Sequence, residues 1–190
     1  ISASSSGIGY YLAQKYKSIG FNVVINGTNL SKLKKTSLIL GCDYFLGDLT
    51  DNKKIGLLVK KLKKKYDYID VLICNLGSSN FKKNNKNFKI AFKYNFFSTT
   101  SLVEKSKIIL KKSESKIICI SSICGLECIE GAPIGYSIAK SALNAYIKLI
   151  SKELAKDEIV INGIVPGNIY FRGSTWDKKM QDNTKKTKKI

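Results

Sequence analysis

The sequence predicts a single α/β domain built on a doubly wound parallel sheet, and three observations lead to this fold class. The chain has 190 residues, of which 44% are hydrophobic; this suits one domain with a sizeable core and is too short for two of ordinary size. Short apolar runs alternate with longer stretches in which apolar residues recur every three or four positions. A glycine-rich loop precedes the first of these stretches, as in nucleotide-binding βα units.

Five apolar runs are predicted to be strands, and four amphipathic stretches between them are predicted to be helices. The strands cover 23–26, 44–46, 71–74, 117–120 and 160–165. The helices lie near 8–19, 53–65, 88–110 and 134–154. In a doubly wound sheet, ligands bind at the carboxyl ends of the strands. Polar residues that directly follow a predicted strand are therefore the first candidates for a functional site.

Both ends of the chain depart from a complete βα pattern. Ile1 to Ala3 lead directly into the glycine loop without a strand to launch it, and the polar, lysine-rich segment 177–190 ends without a closing strand. We therefore expect a fragment that lacks its first strand and its C-terminal segment. A dinucleotide-binding domain is expected over 1–176, followed over 177–190 by a polar tail or a truncated substrate lid.

The composition excludes several classes of protein. The chain has no histidine, which rules out a Ser-His-Asp hydrolase and any histidine-ligated metal site. Its five cysteines are odd in number and lack the C-x-x-C spacing of a zinc site, so we expect reduced thiols and no metal. No apolar run approaches the roughly 20 residues of a membrane span, and no secretory leader opens the sequence. These features predict a cytoplasmic protein with no membrane partner.

The net charge of +19 raises nucleic-acid binding as an alternative function. Of the 33 basic residues, however, only Arg172 is an arginine, whereas recognition of base edges and bidentate recognition of phosphates favour the planar arginine side chain. The lysines cluster on predicted exposed helix faces and loops, such as 60–65 and 82–89. We therefore expect no nucleic-acid partner.

The glycine loop reads Ser4-Ser5-Ser6-Gly7-Ile8-Gly9 and leads into the first predicted helix. Glycines at such a position allow a tight turn and a close approach of the backbone to a pyrophosphate at the helix N-terminus. An ordinary turn between a strand and a helix would give the same residues, so the loop needs support from the rest of the chain.

The end of the second predicted element carries no acidic residue. An acid there would hydrogen-bond the adenosine ribose of NAD and would repel the extra phosphate of NADP. The sequence has Thr28 and Asn29 instead, which favours NADP over NAD. Asp48, which follows the next strand, could contact the adenine or could equally cap the next helix. Asn75 follows the strand 71–74 and could line the cofactor or could be a turn residue.

Tyr136 and Lys140 lie one helical turn apart, which puts a phenol and an ammonium on the same helix face. A lysine-rich chain produces such pairs by chance, and Tyr11 with Lys15 is another. A free phenol titrates near pH 10, and a neighbouring ammonium would lower that pKa. The pair could therefore exchange a proton with a substrate oxygen.

The surroundings favour the second pair over the first. Ser122 ends an apolar strand fourteen positions before Tyr136, and Pro133 marks the start of the helix that carries the tyrosine. We take Ser122 as the catalytic serine, with Ser121 as the alternative.

In this order of motifs the chain resembles the classical short-chain dehydrogenase/reductase family, and within it the bacterial 3-oxoacyl reductases. Two departures stand out: Ala3 occupies the position of the family's first loop glycine, and the serine-to-tyrosine spacing is about one residue longer than usual. The resemblance implies a Rossmann-like fold and an NAD(P)-dependent interconversion of a small-molecule ketone and a secondary alcohol. It also implies a homodimer or homotetramer for the full-length protein. A cofactor-binding protein without turnover is the alternative.

The resemblance further implies which residues do the chemistry and which hold the cofactor. Asn95 joins the serine, tyrosine and lysine in a water-linked proton path, although it could also be a polar helix residue that faces solvent or bonds locally. The implied catalytic residues are Ser122, Tyr136, Lys140 and Asn95. The implied cofactor-binding residues are Ser2, Ser4, Ser6, Gly7, Ile8, Gly9, Thr28, Asn29, Asp48, Leu49, Asn75, Leu76, Gly77, Tyr136, Lys140, Pro166, Gly167 and Ile169.

Overall fold

The computed structural model describes residues 1–79, 88–171, 174, 177 and 180. The tail predicted over 177–190 lies outside the described residues except for Asp177 and Met180, as does most of the lysine-rich loop 82–89. Within the described ranges, no helix is both long enough and apolar enough to cross a bilayer.

Helices and parallel strands alternate along the described chain. The elements in order are α1 (Gly7–Ser18), β1 (Val24–Gly27), α2 (Leu30–Leu40), β2 (Asp43–Leu46), α3 (Asn52–Tyr66), β3 (Val71–Cys74), α4 (Phe88–Phe92), a π-helical turn (Lys93–Phe97), α5 (Ser98–Ser106), β4 (Lys116–Ile120), α6 (Ile134–Leu154) and β5 (Val160–Ile164). All five predicted strands are present with ends within one residue of the expected ones, and the predicted α/β class is confirmed.

The helix α2 is the element that the apolar pattern did not predict. Asn29 caps its N-terminus by accepting a hydrogen bond from the backbone amide of Lys32 (2.9 Å). Gly41 ends it in the left-handed conformation, with φ of 58°. Only a few of its residues are buried, Leu33 and Leu40 among them, so the apolar stripe is too narrow to stand out in the sequence.

The strands form two parallel groups. β1 pairs with β2, with Ile25 opposite Tyr44, and β3, β4 and β5 form a three-stranded sheet in that order. Ile117 in β4 lies at the centre of the larger group and is 1% exposed. Helices α3, α5 and α6 pack against this sheet and supply much of the main core. Every strand runs in the same direction, so the carboxyl ends of all five lie at one edge.

A gap about one strand wide separates the two groups of strands. It holds a cavity of about 480 Å³ lined by residues of β1 and β3. The first residues of the chain bridge the gap at one end: the Ser2 amide donates to the Ile73 carbonyl (3.0 Å), and the Ser4 amide donates to the Asn26 carbonyl (2.8 Å).

Candidate active site

The glycine loop leads from the gap to the N-terminus of α1, and two of its residues have a left-handed backbone conformation. Ala3 has φ of 47°, a conformation that favours glycine, so its backbone explains why the family has a glycine at this position and is strained with alanine there. Gly7 has φ of 60° and is the first residue of α1. The Ser6 side chain makes no cap hydrogen bond to the first-turn amides of α1.

The end of β3 holds the loop in place through Asn75. Its side-chain amide donates to the carbonyls of Ser2 (3.1 Å) and Ala3 (3.0 Å), and its backbone amide donates to Ser2 Oγ (2.8 Å). The Leu76 amide donates to the same Oγ (2.9 Å). Gly9 lies against this junction, where a Cβ atom would come within 2.6 Å of Asn75 Nδ2. Asn75 therefore fixes the loop, and Gly9 is required by close packing.

Asn26 is a site residue that the sequence reading missed. Its side-chain amide donates to the carbonyls of Phe45 (3.1 Å) and Gly47 (2.9 Å), and its Oδ1 accepts the Ala3 amide (3.1 Å). The side chain is buried, and it ties the glycine loop to the end of β2. A polar residue inside the apolar run 23–26 was the signal that could have revealed it.

Of the residues predicted to contact the adenosine half of the cofactor, some present polar side chains at the ends of the strands, whereas one has a buried apolar side chain. Thr28 and Asn29 are exposed at the carboxyl end of β1, where a ligand could reach them. The Asp48 carboxylate accepts the backbone amide of Thr50 (2.9 Å). The side chain of Leu49, however, is 2% exposed and belongs to the main core. The predicted contact of Leu49 with the cofactor is therefore open to its backbone and not to its side chain.

Ser122 and Tyr136 are hydrogen-bonded to each other at the carboxyl end of β4. Burial raises the pKa of the Tyr136 phenol, and the hydrogen bond with Ser122 lowers it by a smaller amount. Ser122 Oγ also accepts the amide of Cys124 (3.2 Å). The alternative serine, Ser121, has a buried hydroxyl with no hydrogen-bond partner among the described residues. The structure therefore brings Ser122, and not Ser121, to the tyrosine.

Lys140 is buried beneath this pair. Lys140 is only 3% exposed. Its Nζ donates to the carbonyl of Ile120 (2.8 Å) and lies 5.9 Å from the centre of the Tyr136 ring. Burial lowers the pKa of Lys140 from 10.5 to about 8. The expectation that Lys140 lowers the pKa of Tyr136 does not hold in this structure, because burial raises that pKa and Lys140 is not among the groups that shift it.

Asn95 lies in the π-helical turn between α4 and α5 and is fully buried. Its side-chain amide donates to the carbonyls of Ser78 (2.8 Å) and Ala91 (2.9 Å), and its Oδ1 accepts the Ser78 amide (2.9 Å). A Cβ atom on Gly77 would lie 2.9 Å from Asn95 Oδ1 and 3.2 Å from Lys140 Nζ. The solvent-facing alternative for Asn95 is therefore wrong, and its side chain lies close to the lysine. Single π-helical turns are frequent at functional sites.

The last predicted segment follows β5. The carbonyl of Pro166 accepts the amide of Ile123 (3.0 Å), which joins this segment to the loop after Ser122. Gly167 is exposed with open space around it, and Ile169 is partly exposed. Ile8 and Ile169 line an apolar cavity of about 480 Å³ beside the start of α1. The segment therefore lies between the glycine loop and the serine-tyrosine pair.

The site thus combines the N-terminal turn of α1, polar groups at the ends of β1 and β2, and a serine-tyrosine-lysine group at the end of β4. The close approach of backbone at Gly9 and the left-handed Gly7 fit a dinucleotide at this edge of the sheet. Fold and site together define a nicotinamide-dependent oxidoreductase of the doubly wound α/β type.

Comparisons with known proteins identify the family. A family model described as enoyl-(acyl carrier protein) reductase matches residues 2–189. The chain is 29% identical to the 3-oxoacyl-[acyl-carrier-protein] reductase FabG of Rickettsia bellii, covering all of this chain and 79% of that protein. It is 30% identical to FabG of Rickettsia prowazekii, covering 89% of this chain and 71% of that protein. The chain belongs to the short-chain dehydrogenase/reductase family and is an oxidoreductase that uses NAD(P).

Solved structures agree with this assignment of the fold. The chain superimposes on Pseudomonas aeruginosa RhlG in an NADP complex with a TM-score of 0.87 at 22% identity, covering 98% of this chain and 77% of that one. A short-chain dehydrogenase/reductase of unknown function from Caenorhabditis elegans, solved with cofactor, gives a TM-score of 0.80 at 26% identity. That match covers 88% of this chain and 68% of the other.

Proposed function

We propose that the chain carries the catalytic centre of a reductase that converts a ketone to a secondary alcohol, with NADPH preferred over NADH. The observation that carries this proposal is the hydrogen-bonded pair of Ser122 and Tyr136 above the buried Lys140. Reduction of a ketone needs a hydride at the carbon and a proton at the oxygen. Bound NAD(P)H supplies the hydride, so the chain itself must supply the proton and hold the oxygen.

Tyr136 is the proton donor in this proposal. Because burial raises its pKa, the phenol keeps its proton near neutral pH, as donation to a developing alkoxide requires. The Ser122 hydroxyl hydrogen-bonds the same phenol and can hold the carbonyl oxygen beside it. The Lys140 ammonium then stabilises the phenolate that remains after the transfer. Asn95, fixed on Ser78 and close to Lys140, is proposed to hold the water through which the proton is replaced.

The glycine loop and its neighbours would hold the cofactor. The first-turn amides of α1 suit the pyrophosphate, and the exposed pair Thr28 and Asn29 suits the adenosine ribose. The absence of an acid at this point supports NADP, because a carboxylate would repel the extra phosphate. Titration of the chain with NADPH and with NADH measures this preference. Tighter binding of NADH would overturn it.

The Ser122 and Tyr136 pair also favours a ketone over an enoyl group. In a ketone, the carbon that accepts the hydride carries the oxygen that must gain a proton, and the two hydroxyls offer a donor and a partner for that oxygen. In an enoyl group, the carbon that accepts the hydride bears no oxygen. A 3-oxoacyl thioester and an enoyl thioester of equal chain length therefore form a matched pair of substrates. Faster turnover of the enoyl thioester would contradict the proposal.

The substitution Tyr136→Phe tests the catalytic assignment. It removes the proton donor while keeping the ring, so kcat for ketone reduction should fall by at least about a hundredfold with the affinity for NADPH kept within about twofold. Tyr11→Phe is the matched control, since Tyr11 stands in the same spacing to Lys15 but is 55% exposed on α1. An unchanged rate in Tyr136→Phe would refute the assignment.

A cofactor-binding protein without turnover is the second candidate function. The gap between β1 and β3 favours it, because among the described residues no strand pairing joins the two groups of strands beside the glycine loop. Binding of NADPH with no reduction of any member of a ketone panel would support this candidate. Nucleic-acid binding is the third candidate function. It would show as association of the chain with nucleic acid that depends steeply on salt concentration.

We also propose that the chain self-associates through α5 and α6 and acts in a reducing compartment such as the cytoplasm. Large apolar side chains on or beside these helices, Phe97, Ile108 and Leu149, are more than half exposed. All five cysteines are unpaired thiols, as is usual where disulfides are kept reduced. Light scattering measures the assembly, and a Leu149→Lys variant should shift it toward monomer. Fractionation of the source cells tests the location.

A further inference from the structure

An aromatic side chain covers the first turn of α1. Atoms of the Phe171 ring lie 2.9, 3.3 and 3.5 Å from the position that a Cβ atom would take on Gly7. Gly7 opens the helix with φ of 60°. The ring therefore fills the space that the absence of a side chain at Gly7 leaves over the loop.

Local hydrogen bonds hold the segment that carries this ring. The Ser174 amide donates to the Phe171 carbonyl (2.9 Å), the Asp177 amide donates to Ser174 Oγ (2.9 Å), and the Tyr170 hydroxyl donates to Asp177 Oδ1 (2.9 Å). The Phe171 ring also borders the apolar cavity that Ile8 lines. Phe171 is thus a partly buried ring with a defined anchor and not a loose surface side chain.

We propose that Phe171 competes with the pyrophosphate of NAD(P)H for the first turn of α1, so that the ring must leave before the dinucleotide binds. This inference rests on the proposed placement of the cofactor on the glycine loop. A glycine at position 7 allows close approach of phosphate oxygens to the helix amides. An apolar ring in the same space excludes those oxygens and shields the amides from them. The two cannot occupy the space together, so the affinity for NAD(P)H is reduced by the fraction of chains in which the ring is in place.

The substitution Phe171→Ala tests the competition directly. Removing the ring should tighten the binding of NADPH by about tenfold, measured by fluorescence titration of the purified chain without any substrate. Ile19→Ala is the matched control, because Ile19 is a large apolar side chain at the other end of α1 and is 55% exposed. Its Kd should stay within about twofold of that of the unchanged protein.

Hydrogen exchange gives a second readout that needs no cofactor. The amides of Ile8 and Gly9 should exchange several-fold faster in Phe171→Ala than in the unchanged chain, because the ring no longer covers the first turn. An unchanged or weaker affinity for NADPH in Phe171→Ala overturns the proposal, as does an equal gain in Ile19→Ala. If none of the three proteins binds NADPH while exchange is still faster in Phe171→Ala, the proposed placement of the cofactor on the glycine loop is wrong. The proposed competition is then refuted as well.

Discussion

The buried ammonium of Lys140 should make the stability of this protein depend on pH in a way that one substitution removes. The pKa of Lys140 falls from 10.5 to about 8 on folding because burial disfavours the charged form. Between these values the unfolded chain binds more protons than the folded chain, so stability rises as the pH increases from about 8 to 10.5. The difference between the two pKa values corresponds to about 3 kcal/mol in the free energy of unfolding.

Lys140→Met keeps most of the side-chain volume and removes the titration. At pH 7 it should remove a penalty of about 3 kcal/mol while losing the hydrogen bond to the Ile120 carbonyl, which contributes about 1 kcal/mol. The variant should therefore be about 2 kcal/mol more stable than the unchanged protein at pH 7 and about 1 kcal/mol less stable near pH 10.5.

Urea unfolding at a series of pH values from 7 to 10.5 measures both proteins, and the difference between the two curves cancels the titration of all other groups. Lys148→Met is the matched control, because Lys148 is exposed on the same helix and the same substitution there removes no buried ammonium. A difference between the unchanged protein and Lys140→Met that is flat across the pH range would refute the reasoning, since it would mean that Lys140 is as solvated in the folded chain as in the unfolded one.

Two further predictions concern the supports of the site. Gly9→Ala should weaken the binding of NADPH by about tenfold or more in a fluorescence titration, because the new Cβ atom would lie 2.6 Å from Asn75 Nδ2 and displace the loop. Unchanged affinity would show that the loop can move at little cost. Asn95→Leu should lower the free energy of unfolding by about 1–3 kcal/mol in urea, because it removes the hydrogen bonds that the fully buried Asn95 side chain makes with Ser78 and Ala91. A stability equal to that of the unchanged protein would contradict this role.

The local parts of the fold and site were the predictable ones. The strand 71–74 and the helix 134–154 each carry an apolar pattern of the right period, so their ends could be located closely from the sequence. The pairing of Ser122 with Tyr136 followed from motif order, since parallel strands bring their carboxyl ends to one edge. Asn26 was missed because its partners, the carbonyls of Phe45 in β2 and of Gly47 just after β2, are distant in the sequence. A polar residue inside an apolar run signals a buried contact but does not show which groups it meets.

The direction in which the Tyr136 pKa shifts could not be predicted from the sequence for a related reason. Spacing on a helix shows that a phenol and an ammonium share a face, but it does not show how much water each retains. In the structure both Tyr136 and Lys140 are buried, and burial moves their pKa values in opposite directions, upward for the acid and downward for the base. Both shifts favour the neutral forms. The proton therefore stays on the tyrosine until a charge develops on the substrate oxygen, and the same burial that holds it there makes the resting site costly in stability.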